Sequence, residues 1–357
     1  MQLPSSRRLT AAGVVLAAVA GVAACSSNST PPGGGGSGSS ASGTINASGS
    51  TFQENFQQAA IQQFKSTDPN VTVNYAPIGS GSGRAAFYKN SVLFAGSDSP
   101  IPSSEASQVP SGKKVLYFPV QVGPIALAYN LPGVKGLKLD APTLAKIFQG
   151  QIKTWNDPAI KALNPGLKLP STSITLAVRS DSSGTTDNFS SYLSKAGGSD
   201  WKLGTNSIIN WPSTARAGNG GSGVAQIIKS TQGAIGYVDY STATASGLSA
   251  ASVKNAAGKY VAPSSTTAAA AASHVTPSSN LTFSTVDEPG ATSYPVTYQS
   301  WDLVYAKQPN AKDVTLLKAY LGYLLGQGQS LLKSLNLAPL PSSIDAKAKA
   351  QLNKITS

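Results

Sequence analysis

The chain has 357 residues, 27 Lys and Arg against 15 Asp and Glu, a net charge of +12, one cysteine and one histidine. A single cysteine excludes a disulfide framework, and with one histidine a metal site would need clustered carboxylates that the sequence does not contain. The basic excess permits an anionic ligand, but its longest runs are the pairs Arg7-Arg8 and Lys113-Lys114, without the interleaved aromatic residues on which nucleic acid stacks, so no nucleic-acid partner is expected.

Arg7 and Arg8 precede an uncharged apolar run from Ala11 to Ala24 that is too short to span a bilayer, so residues 1–24 read as a secretion signal. Its removal lowers the net charge by two. Val22-Ala23-Ala24-Cys25 resembles a bacterial lipobox, in which the cysteine thiol takes up a diacylglyceryl group and becomes the first residue; an ordinary cleaved signal with a chance cysteine is the alternative. On the first reading the protein is held at the outer face of the cell membrane by the lipid on Cys25. From Ser26 to Thr44 the chain is small and polar and cannot bury enough surface to fold, so residues 25–44 form a lipidated tether with a root-mean-square span of roughly 25 Å. Residues 45–357 are long enough for two domains.

Along this part, Phe52, Phe56, Ala60 and Phe64 recur at helical spacing, and Val71, Val73 and Tyr75 alternate as in a strand. Val115 to Ala128 reads as buried strand despite Pro119 and Pro124. Ile174, Leu176 and Val178 alternate again, residues 262–279 form an Ala/Ser/Thr-rich stretch that reads as elaborated surface, and Leu316, Leu317, Tyr320, Leu321 and Leu324 make a broad helical stripe. Strands alternating with helices predict an α/β protein.

Three glycine- and hydroxyl-rich turns lead into helical patterns: Gly49-Ser50-Thr51-Phe52, Gly79-Ser80-Gly81-Ser82-Gly83 and Ser182-Ser183-Gly184-Thr185. The first N–H groups of a helix lack internal partners and lie at the positive end of its dipole, so each turn is a candidate oxyanion nest, although singly such a turn is more often a plain N-cap. The third turn follows a strand that ends at Arg179, whose planar fork suits phosphate and could be held by Asp181. The bland alternative is a surface arginine beside an Asx-turn aspartate.

These blocks, with Val73-Asn74-Tyr75, Ile78-Gly79-Ser80, Gly96-Ser97-Asp98, the segment from Leu163 to Pro170 and that from Gly233 to Val238, resemble the phosphate-binding component of the bacterial high-affinity phosphate ABC transporter, a type II periplasmic binding protein. The resemblance implies a two-lobed α/β fold with two hinge crossings, near Gly123 to Ala128 and Ser293 to Tyr298, and the ligand in the cleft. Lobe one would comprise 45–126 and 295–357, and lobe two 127–294. It further implies that Thr51, Phe52 through its backbone, Ser80, Asp98, Arg179, Ser183, Gly184 and Thr185 hold phosphate, with Asp181 orienting the arginine. Ser50, Leu93 and the 262–279 stretch depart from the family pattern at positions expected to touch no ligand residue. A monomer without cofactor or metal is implied, with inorganic phosphate, an ABC permease and its ATPase as partners.

Other functions fit less well. A secreted hydrolase would lack a base, because the lone histidine, His274, has no serine or cysteine elbow beside it. No phosphate-binding loop of the nucleotide-binding type is present. A surface adhesin or receptor on the same fold remains open. A binder of sulfate or molybdate is opposed by Asp98, since a carboxylate only accepts hydrogen bonds and favours an oxyanion that still carries a proton. The alternative role of Asp98 is an N-cap in Ser97-Asp98-Ser99-Pro100.

Overall fold

The computed structural model describes residues 41–357, so the signal, Cys25 and most of the tether lie outside the described residues. Strands β1 (Gly43–Gly49), β2 (Val71–Ala76) and β3 (Phe94–Ser97) alternate with helices α1 (Glu54–Thr67) and α2 (Ser80–Tyr88). The long strand β4 (Val115–Tyr129) follows, then β5 (Lys138–Leu139), α3 (Ala141–Phe148), α4 (Pro158–Leu163), β6 (Thr175–Arg179) and α5 (Gly184–Gly197). Next come β7 (Arg216–Gly218), α6 (Gly220–Ser230), β8 (Ala234–Asp239), α7 (Tyr240–Ala245), β9 (Ser249–Ala250), β10 (Ser252–Lys254), β11 (Tyr260–Val261) and α8 (Ser265–Ala272). The chain closes with β12 (Thr297–Tyr305), α9 (Ala311–Leu325) and α10 (Ser342–Gln351). β1 starts at Gly43, inside the last residues read as tether, because Gly43 to Ser48 pair in parallel with Val71 to Ala76.

The main sheet runs β2-β1-β3-β12-β4-β8-β6-β7, with β9 beside β4. β4 is shared by two groups of strands: Val115 to Pro124 pair with β12, and Ile125 to Tyr129 pair with β8. On one side β1, β2 and β3 are parallel, and on the other β6, β7 and β8 are. Parallel strands need crossovers, and the helices that supply them cover the sheet faces, which is why β4 and β12 are buried almost along their whole length. The β4–β12 register shifts between Ser300 and Trp301, opposite Pro119 and Gln121. Pro119 has no N–H to give the ladder, and an irregularity is where a strand accommodates that.

Packing follows the patterning. Phe56, Ala60 and Phe64 of α1 and Leu316, Leu317, Tyr320, Leu321 and Leu324 of α9 are buried in one apolar core. Phe64 stacks edge-on against Tyr320, with ring centroids 5.1 Å apart. A second core of small side chains, Ala126, Ala128, Ala177, Val224, Ile228 and Val238, lies between α6 and its sheet. The 262–279 stretch departs from expectation: residues 265–272 form α8, packed on β4 and β12, with Ala268, Ala271 and Ala272 buried. Alanine is the best helix former, and its small side chain lets a helix sit close on a strand, so an unpatterned alanine run conceals a packed element.

Candidate functional site

In open α/β sheets the loops at the carboxyl ends of parallel strands gather on one edge, where ligands bind. Here β1 leads into Ser50-Thr51-Phe52, β2 into Ile78 to Ser80, β3 into Asp98, β6 into the stretch from Asp181 to Thr185 and β7 into Gly220. The three turns singled out from sequence open α1, α2 and α5, and a fourth of the same design, Asn219-Gly220-Gly221-Ser222, opens α6. That fourth turn was legible by the same rule, since glycines and a hydroxyl precede Val224 and Ile228.

Asp98 sits at the centre. It is 1% exposed, its Oδ2 accepts from Ser50 Oγ at 2.7 Å and Ser80 Oγ at 3.2 Å, and its Oδ1 accepts from Ser300 Oγ at 2.6 Å. Its own N–H donates to Ser80 Oγ at 3.2 Å, and its carbonyl accepts from Asn188 Nδ2 at 2.7 Å. The next helical turn begins only at Ser103, so the carboxylate is turned inward to hydroxyls rather than capping a helix. Burial pushes this carboxyl up to about 6, against the pull of Ser300, Ser50, Arg179 and Ser80. Ser50 therefore does touch site residues: besides its bond to Asp98 it accepts from the Phe52 N–H at 3.0 Å. The expectation that this departure from the family pattern is remote is corrected, because the turn folds Ser50 Oγ back over its own backbone.

Ser300 is part of a buried polar chain that sequence reasoning missed. Gln53 Nε2 donates to Ser300 Oγ at 2.8 Å, Gln57 Nε2 donates to Gln53 Oε1 at 2.9 Å, and Tyr320 OH donates to Gln57 Oε1 at 2.6 Å. Gln57 also faces both oxygens of Asp302, at 3.4 and 3.5 Å. Nothing in the sequence marks these residues, since a polar side chain inside an apolar strand or helix looks like any surface one.

Arg179 is buried at the end of β6. Its Nε donates to Asp181 Oδ1 at 2.7 Å and its second guanidinium arm to Asp181 Oδ2, so one edge of the fork is braced and the other N–H groups are left for a ligand. Burial disfavours the charge, but the Asp181 hydrogen bonds and charge outweigh it and hold the guanidinium above its usual range, while Asp181 is held below its own despite burial. Asp181 Oδ1 also accepts from the Gly220 N–H at 3.1 Å, which ties the fourth turn to the arginine. Arg84, the other buried arginine near the cleft, has its fork filled by Glu105, at 2.8 Å to each carboxylate oxygen.

The loop after β6 meets the β1 to β3 side directly. A Cβ on Gly184 would stand 2.6 Å from both Asp98 Cβ and Ser80 Oγ, and one on Gly79, at φ +92°, would stand 2.5 Å from Asp181 Oδ2. Only glycine allows this approach. Gly81 N–H donates to Ser182 O at 3.1 Å across the same seam. Ser183 caps α5 by accepting from Thr186 N–H at 3.2 Å, and Thr185 is buried beside it. Thr51 lies on the flank, where a Cβ on Gly220 would be 3.5 Å from Thr51 Cγ2. Thus Ser80, Asp98 and Gly184 are in contact, Arg179 is locked to Asp181, and Thr51, Phe52, Ser183 and Thr185 stand in the adjoining turns. Helix N-termini, hydroxyls, a guanidinium and a buried carboxylate gathered at one edge of a sheet can hold an oxyanion with a proton on one oxygen. Among the described residues no group of three or more His, Cys, Asp or Glu could hold a metal ion, and no helix is long and apolar enough to cross a membrane.

This arrangement defines a solute-binding protein, and residues 35–327 match the model of the PBP superfamily domain. The chain is 36% identical over 323 residues to phosphate-binding protein PstS 3 of Mycobacterium leprae, covering 87% of each chain. It is equally 36% identical over 285 residues to phosphate-binding protein PstS of Haemophilus influenzae, covering 78% of this chain and 84% of that one. The chain belongs to the PstS-type phosphate-binding protein family, whose members are binding proteins rather than enzymes. Its fold matches a solved high-affinity periplasmic phosphate-binding protein with a TM-score of 0.72 at 21% identity, over 87% of this chain and 94% of the other. A phosphate-binding protein from Stenotrophomonas maltophilia matches with a TM-score of 0.70 at 19% identity, over 86% and 93%.

Proposed function

We propose that the protein captures inorganic phosphate in the cleft between two lobes, 45–126 with 295–357 and 127–294, and delivers it to an ABC permease and its ATPase, while a lipid on Cys25 anchors it outside the cell membrane. The observation that carries the ligand is that Arg179, braced by Asp181 with N–H groups to spare, and the buried acceptor Asp98 lie on the strand-end turns that also carry Thr51, Ser80 and Ser183-Gly184-Thr185. The family to which the chain belongs supports the same ligand and the transporter partners. Titration calorimetry of the signal-free protein with phosphate, sulfate and molybdate tests it: phosphate should bind far more tightly than the other two, and a preference for sulfate or molybdate would overturn the assignment.

Asp98 sets the selectivity in this reading. Phosphate near neutral pH can donate a hydrogen bond to it, whereas sulfate presents a lone pair to a buried acceptor, at a cost of about 1 to 3 kcal/mol before charge repulsion. Asp98→Asn should weaken phosphate binding and improve sulfate relative to it. The deciding quantity is the ratio of the two dissociation constants at one ionic strength, and an unchanged ratio removes Asp98 from selectivity.

The anchor rests on Cys25 being the only cysteine and following the small residues of the signal. Cys25→Ala should shift the protein from the detergent to the aqueous phase on phase separation; continued partitioning with detergent would refute lipidation at this residue.

A further inference from the structure

Strand β12 begins at Thr297 opposite Pro124, at the point where β4 changes partner from β12 to β8. The next residue, Tyr298, is fully buried and its hydroxyl meets no hydrogen-bond partner. Buried tyrosine hydroxyls normally find one, and packing alone would be served as well by phenylalanine. The ring lies against that of Phe52, with centroids 3.7 Å apart and planes tilted by 35°, so Tyr298 stands on the turn that opens α1. Burial holds the phenol well above its usual range, reinforced by Asp239 and Asp98 and opposed by Arg179; Thr185 is close enough to ease the shift without meeting it in hydrogen-bond geometry. The hydroxyl is thus a neutral donor on a ring packed against the turn that carries Phe52. Tyr192, another buried tyrosine without a partner, feels Asp287, Tyr294 and Asp140, none of which belongs to the site.

We propose that the Tyr298 hydroxyl is a further ligand of the bound oxyanion, donating to an oxygen on the side between Phe52 and Thr185. This rests on the phosphate reading above. It adds a donor from a strand next to the crossing to those of the glycine-rich turns.

Tyr298→Phe removes one oxygen atom and keeps the ring against Phe52. Phosphate titration of both proteins should show a dissociation constant raised about tenfold in the variant, the loss expected for one hydrogen bond to a charged group. Thermal unfolding without ligand should show the variant as stable as the wild type or more so, because an unpartnered buried hydroxyl is gone, and the upward shift of Tm on adding phosphate should shrink. An unchanged dissociation constant overturns the proposal, and a less stable variant with unchanged affinity would make Tyr298 a packing residue. A wild type that takes up neither phosphate nor sulfate would overturn the functional reading and this role together, an outcome separated from the others by the wild-type titration alone.

Discussion

Replacing Arg179 by alanine should weaken phosphate binding by roughly a hundredfold or more. The guanidinium is buried, and Asp181 occupies only one edge of its fork. In the closed site the anion would lose its main cation while still shielded from water, a loss on the order of 3 to 5 kcal/mol by analogy with breaking a buried ion pair. Arg179→Lys should fall between the two, because it keeps the charge but loses the planar fork and the paired contact with Asp181. Calorimetric titration of the three proteins gives the ranking directly. Near-wild-type affinity in the alanine variant would take Arg179 out of the site.

The second large effect concerns stability. Asp302 is fully buried on β12, and the Gln57 amide faces both of its carboxylate oxygens, at 3.5 and 3.4 Å. Burial pushes this carboxyl from 3.8 up to about 7, with Gln53 and Gln57 pulling weakly the other way. Between those values the folded protein binds the proton that the unfolded chain has released, so the stability contributed by the protonated group is fully present at low pH and is lost as pH rises through the folded value. At about 1.4 kcal/mol per unit the loss is on the order of 4 kcal/mol. Asp302→Asn cannot ionise and should therefore gain on the wild type by this amount from about pH 4 to about pH 7, the window set by the two carboxyl values. Denaturant unfolding of both proteins across that range is the measurement. A difference that does not change with pH would mean that Asp302 keeps an ordinary carboxylate in the folded state. Asp98, pushed up to about 6, titrates in both proteins and leaves a shared slope that cancels in the difference.

Sequence reading reached the strands and helices whose apolar residues repeat at a clear period. β2 alternates Val71, Val73 and Tyr75, α9 carries its leucine stripe, and both stand where the pattern predicts. It also reached the glycine-rich turns and the pairing of Arg179 with Asp181, because the side chains involved are close in sequence and the geometry of a strand end leading into a helix is local. The Ala-rich α8 escaped, since a helix without contrast between polar and apolar faces leaves no periodic signal.

Local chemistry is written in the order of the residues: which turns can present N–H groups and hydroxyls, which arginine has a carboxylate two residues away, and which segments must be strand or helix. The tertiary structure alone decided what meets Asp98. Ser50 and Ser80 come from the ends of β1 and β2, Ser300 from a distant strand, and Gly184 from the loop after β6. The buried line through Gln53, Gln57 and Asp302, and the unpartnered hydroxyl of Tyr298, were equally hidden. A polar residue is costly or useful according to whether it is desolvated and what faces it, and that depends on long-range pairing of β4, β12 and the strands beside them, which no local pattern encodes.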